Sequence, residues 1–329
     1  MSKIKRPCRS LCAAISCLIL LGMAFPCSAS AQDVAQVALS AFPADTQQIA
    51  YVNLSQLRAL PGYWQIRTVL LNRQMRLFED FLRSIGSDPG KDVDEVVVGF
   101  GATGGQTLFG LASGQFNPSQ AQNFIAQKNL PTRQYSGYTL DAFGPGLSPN
   151  DLFFTFINPG LAAFGRASDL KAILDRYNGQ GATLSSNQDF VKWEGMLDGS
   201  APEWGITTGK AAQNLAAPWL LSGAKSNSSK QKLDLSAVFG PIKAVLYQAS
   251  WDNGFSFQAR AICENAQSAQ VLSRLLSIWR DSASLTGRQP ADVADFVQSL
   301  QIETSGSQLE ISGSGSTGVF LRLLQNGSK

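Results

Sequence analysis

The chain has 329 residues, 27 basic and 24 acidic side chains, 44% hydrophobic content and not one histidine. That length buries a core without disulfide staples, in one large or two small domains. Without histidine, Ser-His-Asp and Cys-His catalysis and the usual zinc and copper sites are excluded.

The N-terminus reads first. Lys3, Lys5, Arg6 and Arg9 precede an apolar run from Leu11 to Phe25, then Pro26 and Ser28-Ala29-Ser30-Ala31. A basic start, a short apolar stretch and an A-x-A site predict a secretory signal peptide over residues 1–31, cleaved after Ala31. Cys27 follows Pro26, which does not suit a lipoprotein site. The leader takes four of the 27 basic residues, leaving 23 against 24 acidic, so the basic excess is no argument for nucleic acid. No later stretch reaches the roughly 18 apolar residues of a span, so no transmembrane segment is expected after signal removal. The expected location is periplasmic or secreted. Four of the five cysteines also leave with the leader, and Cys263 cannot form an internal disulfide alone. It alternates with Phe255, Phe257, Ala259 and Ala261, which places it on the apolar face of a strand.

Ile49–Val52 reads as a strand, Ser55–Pro61 as a short helix, and Gln65–Ile85 as an amphipathic helix stopped by Gly86 and Asp88-Pro89-Gly90. A hairpin follows over Val96–Phe116, then a helix opened by Asn117-Pro118. Strands are expected at Tyr135–Phe143, Leu152–Ile157 and Leu161–Gly165, with a helix at Asp169–Tyr177 capped by Ser168. The plan then restarts: strand Trp204–Thr208, helix Lys210–Leu221, a polar loop over Lys225–Lys232, a hairpin over Ala244–Glu264, and a helix from Ala266 to Leu285. Strands at Ser299–Thr304 and Leu309–Ser312 and a helix at Val319–Leu324 end the chain.

The two hairpins align without a gap when slid by 148 positions: Val96–Val98 falls on Ala244–Leu246, Phe109 on Phe257, Asn117 on Asn265 and Ala121 on Ala269. This predicts an internally duplicated α+β fold with antiparallel sheets and helices packed on one face, its repeats at 32–182 and 183–329. A lone hairpin is marginal in water, and the amphipathic helix trailing each one supplies cover.

Gly99-Phe100-Gly101-Ala102-Thr103-Gly104 matches G-x-G-x-x-G, but Gln106–Leu111 alternates like a strand and no acid follows before Asp141, so it reads as a hairpin turn. Ser168 and Lys171 form S-x-x-K without the partner motifs of penicillin-recognising enzymes; Ser229–Lys232 repeats the pattern in a polar loop. Asp88, Asp92, Asp94 and Glu95 gather four carboxylates without EF-hand spacing. Trp251 beside Asp252-Asn253-Gly254 sits where a hairpin-tip aromatic can anchor a partner or a sugar.

Gly86-Ser87-Asp88-Pro89 with Asp92-Val93-Asp94 and Val96-Val97, Ala44-Asp45-Thr46 ahead of the first strand, and Leu184 followed by Asn187 and Phe190 resemble exported bacterial proteins of a domain-of-unknown-function family. The resemblance implies an envelope or secreted location and a duplicated α+β fold, and carries no catalytic residues. The expected function is a non-enzymatic binding or structural module of the bacterial envelope, with no catalytic, cofactor or metal residue assigned and an unidentified protein or small-molecule partner. The alternatives are a carboxylate hydrolase using Asp92, Asp94 and Asp141, and a carrier of an apolar ligand.

Overall fold

The computed structural model describes residues 33–70, 73–101, 108–213, 236–252, 254–285 and 290–327. The predicted signal peptide, the tip of the first hairpin at 102–107 and the whole of 214–235, with the polar loop expected over Lys225–Lys232, lie outside them.

Twelve strands form one antiparallel sheet: β1 (Thr46–Asn53), β2 (Val93–Gly101), β3 (Leu108–Gly114), β4 (Thr132–Tyr135), β5 (Tyr138–Ala142), β6 (Leu152–Asn158), β7 (Leu161–Arg166), β8 (Glu203–Thr208), β9 (Ile242–Ser250), β10 (Phe255–Cys263), β11 (Gln301–Ser305) and β12 (Gln308–Gly315). Their order across the sheet is β11-β12-β10-β9-β8-β1-β2-β3-β7-β6-β5-β4. Among the described residues eleven α-helices pack around it: α1 (Val34–Ala41), α2 (Leu54–Arg58), α3 (Tyr63–Leu70), α4 (Arg73–Ser84), α5 (Pro118–Lys128), α6 (Ala167–Tyr177), α7 (Gln188–Glu194), α8 (Ser236–Phe239), α9 (Ala266–Leu285), α10 (Ala291–Ser299) and α11 (Thr317–Gly327). The chain is thus α+β. The two expected repeats share one sheet, joined where β1 pairs with β8.

Helices do not keep to one face. Successive strand residues point to opposite sides of a sheet, so the core clusters reveal both faces. Tyr51, Val97, Leu111, Phe153, Ala163 and Leu246 point to what is called here the front, into one core with α1, α6 and α7. Val96, Val98, Ala112, Phe154 and Phe164 point to the back, against Ile85 after α4 and Ala121 and Ile125 of α5. The second half places α9, α10 and α11 on the back as well. Helix α1 on the front is an element the sequence reading does not contain: at eight residues it is short, and only Gln36 and Ser40, four apart, mark its exposed side against the buried Val34, Ala35, Val37, Ala38, Leu39 and Ala41.

The hairpin alignment needs a one-residue correction. A slide of 148 matches front-facing Val97 with back-facing Val245, and front-facing Phe109 with back-facing Phe257. Backbone pairing sets Val97 opposite Leu111, and Leu246 opposite Arg260, each 149 positions further on. Faces then agree. The trailing helices keep the spacing of 148: Asn117 accepts from Gln120 N at 3.1 Å and Asn265 from Ser268 N at 2.9 Å. A register shift between Ile262 and Cys263 accompanies the change of spacing.

Two smaller expectations change. The single strand from Tyr135 is a hairpin, β4–β5, turned by Ser136 and Gly137 at φ 47° and 86°. Two consecutive left-handed residues fit the tight hairpin turn that matches strand twist. Ser168 does not cap α6, whose N-cap is Arg166 and makes no side-chain capping bond.

Candidate functional site

The sheet fronts of the two halves differ. Over β2, β3, β7 and β6 the front is apolar and roofed. Beyond Ile262, where the front core ends, β10 and β12 present Ser256, Gln258, Arg260, Glu310, Ser312 and Ser314 to the same side. Their alternates Phe257, Ala261 and Leu309 fill the back core, so the alternation of each strand fixes the polar side outward.

These polar residues form a ladder across three strands. The Gln248 side-chain oxygen accepts from Asp198 N at 2.8 Å, and Gln248 Nε2 donates to Gln258 Oε1 at 2.9 Å. Gln258 Nε2 donates to Glu310 Oε1 at 2.5 Å, while Arg260 Nε donates to Glu310 Oε2 at 2.8 Å and Arg260 Nη1 to the Met196 carbonyl at 2.7 Å. Burial alone would raise the Glu310 carboxyl, but the hydrogen bonds from Arg260 and Gln258 outweigh it and hold the group below its ordinary value. Residues 196–198 anchor the ladder through Asp198 N and the Met196 carbonyl, which fixes the orientation of its side chains.

At the rim lies an open cleft of about 270 Å³ whose lining includes Gln56, Asp198, Ser200, Gln248, Ser250 and Gln258. Asp198 is held below its ordinary carboxyl value by the Ser200 hydroxyl at 2.7 Å and the Ser200 amide at 2.9 Å. Amides, hydroxyls and a carboxylate make this a hydrogen-bonding cleft.

The residues singled out from sequence lie elsewhere. Asp92 Oδ2 accepts from Asp88 N at 2.6 Å, and Asp94 pairs with Arg58 at 2.8 Å. Glu95 points to the front and accepts from Tyr51 Oη at 2.9 Å, Asn53 Nδ2 at 3.3 Å and Ser113 Oγ at 3.3 Å. Asp141 stands on β5, with β3, β7 and β6 between it and β2, roughly 19 Å away by strand spacing. The three carboxylates of the hydrolase alternative therefore do not converge. Asp141 is 4% exposed and burial pushes its carboxyl up to about 6.

Gly99 is a packing glycine: a Cβ there would lie 2.4 Å from the Phe109 ring. Gly104 and Ser229–Lys232 lie outside the described residues. Lys171 Nζ sits 5.0 Å from the centre of the Tyr135 ring, and Ser168 adjoins Asp169, whose buried Oδ2 meets no donor among the described residues. Trp251 is not a displayed anchor. It is 5% exposed, packed at 4.9 Å on Phe255 and 4.6 Å on Phe320, with a buried Nε1 that meets no acceptor. Cys263 is buried, and burial raises its thiol above the ordinary value. Among the described residues no group of three or more Asp, Glu, Cys or His is placed to hold a metal, and no helix is long and apolar enough to cross a membrane.

No family model and no curated protein matches the sequence. Among solved structures, one described as "Structure of crystal form I of TP0453" aligns with a TM-score of 0.50 at 12% identity, over 88% of this chain and 96% of that one. The likeness is one of fold.

Proposed function

We propose that the chain is an exported, non-enzymatic binding module of the bacterial envelope whose working surface is the uncovered front of β10, β12 and β11, with Gln248 at the end of β9. One observation carries this reading: a single sheet is roofed over the front of one half, yet over the other half it presents an anchored amide, carboxylate and guanidinium ladder beside a polar cleft. Such a surface suits a polar, hydrogen-bonding partner. It does not suit an apolar cargo, because each ladder group buried against hydrocarbon would keep its desolvation cost without new bonds. The basic, apolar and small-residue stretches of residues 1–31 support export, and the resemblance to exported bacterial proteins points the same way.

The reading includes descent of the two halves from one unit. In support, Ala50 stands opposite Gly205 in the β1–β8 pairing. Ala50 also opposes Val98, just as Gly205 opposes Tyr247, 149 positions beyond Val98. A two-fold axis through the Ala50–Gly205 pair relates both hairpins and keeps front matched with front. On this view one copy gained a roof of α1, α6 and α7, and the other kept its front free for a partner.

Native mass spectrometry of the protein taken from its own envelope tests the proposal. Wild type is expected to carry bound mass that the Ser312→Trp variant, blocked in the middle of the open front, does not. Equal bound mass on both proteins, or none on wild type, contradicts it.

A further inference from the structure

The back of the central strands holds a carboxylate that nothing in the described fold uses. Strand pairing sets Val52, Glu203 and Ala249 in one row and Ala50, Gly205 and Tyr247 in the next. Their alternates Tyr51, Trp204 and Leu246 belong to the front core, so both rows face the back. The Tyr247 ring lies over Gly205, where a Cβ would come within 2.4 Å of its Cε1, and this places the ring beside Glu203. Val52, Ala50, Glu203 and Tyr247 each keep a minor part of their surface exposed, while Gly205 and Ala249 are buried.

Glu203 makes no hydrogen bond and no ion pair with any described residue, and neither does the Tyr247 hydroxyl. By contrast Glu95, Asp94 and Glu310 each hold donors or a cation. Burial raises the Glu203 carboxyl, and burial followed by the Glu203 charge raises the Tyr247 phenol. A crowded carboxylate without a donor is a standing cost to a fold, and it persists where a ligand meets it. An aromatic face next to a carboxylate favours a cation on two counts, ring quadrupole and charge, while the aliphatic floor accepts a hydrocarbon body.

We infer that the back of β1, β8 and β9 is a second binding site, for a small molecule that bears an ammonium group on an apolar chain. The ammonium meets the Glu203 carboxylate over the free face of the Tyr247 ring, and the chain lies along Ala50 and Val52. The site is on the opposite face of the sheet from the polar ladder and stands independently of the function proposed for that ladder.

Titration of the full mature chain with n-hexylammonium chloride, and separately with 1-hexanol, tests this by backbone amide shifts at residues 203–207 and 245–249. Wild type is expected to show saturable binding of hexylammonium at millimolar concentration or below, about tenfold or more tighter than hexanol. Glu203→Gln is expected to lose that preference while keeping or raising the melting temperature, since it removes a largely desolvated charge that has no partner among the described residues. Equal affinity for ammonium and alcohol on wild type, unchanged hexylammonium binding by Glu203→Gln, or no saturable binding overturns the site. The wild-type comparison needs no variant, so a misfolded Glu203→Gln would not leave the inference undecided.

Discussion

The front of the sheet over β3, β7 and β6 and the front over β10 and β12 are built from the same kind of strand and end in opposite states. In the first region both sides of each strand are apolar: Leu111 with Ala112, Phe153 with Phe154, Ala163 with Phe164. In the second only alternate residues are apolar, and the intervening Gln258, Arg260, Glu310 and Ser312 bond to one another. Continuous apolar runs demand cover on both faces, whereas strict alternation leaves one face for water or a partner. The strands therefore carry in their own pattern which stretch of the front is roofed and which is left open.

The comparison breaks most sharply at the roofed front. Phe42 is fully buried and meets Phe109 edge-on at 4.9 Å. Phe42→Ala is expected to cost about 3–5 kcal/mol in chemical denaturation. A loss of less than about 1 kcal/mol would show that α1 does not close that core.

Asp141 sharpens the contrast on the back, where it is buried without the donors that Glu310 has. Its carboxyl is raised to about 6, so the folded chain holds this proton more tightly than the unfolded chain does. Its stabilising contribution is complete below about pH 4 and is lost as pH rises through 6. Asp141→Asn is expected to stabilise by roughly 3 kcal/mol at pH 7 and not at all near pH 3.5, read from denaturation midpoints at both pH values. A gain that does not change with pH would contradict the burial.

Glu310 has the reverse sign. Its carboxyl is lowered, so its contribution is present above the ordinary glutamate range and fades as pH falls through the folded value. The Arg260–Glu310 pair is partly solvated, which limits the expected cost of Glu310→Gln to about 1 kcal/mol at pH 7. The smallest effect belongs to Ser312→Ala, expected within about 0.5 kcal/mol of wild type because the open front holds no core there.

Much of the fold was legible because local chemistry announces it. Asn117-Pro118 and Asn265 cap their helices, and both long hairpins lie where alternation and turn residues place them. What escaped was set by tertiary packing. Helix α1 is too short for a strong period, with only Gln36 and Ser40 on its exposed side, and the slide of 148 fits the helices while the strands run one residue out. The polar ladder was visible only as Ser256, Gln258 and Arg260 alternating with Phe255, Phe257 and Ala259. Nothing local distinguishes a front left open from one roofed by a distant helix. Glu203 was invisible for the same reason, since its isolation depends on which strands flank β8.

Carbodiimide labelling of carboxylates, in the intact envelope and in purified protein, tests the central claim most directly. Asp198, Glu303 and Glu310 at the open front should label in the purified chain and be protected in the envelope, while exposed Asp80 labels equally in both. Equal labelling of the front carboxylates in the two settings would contradict a partner on that surface.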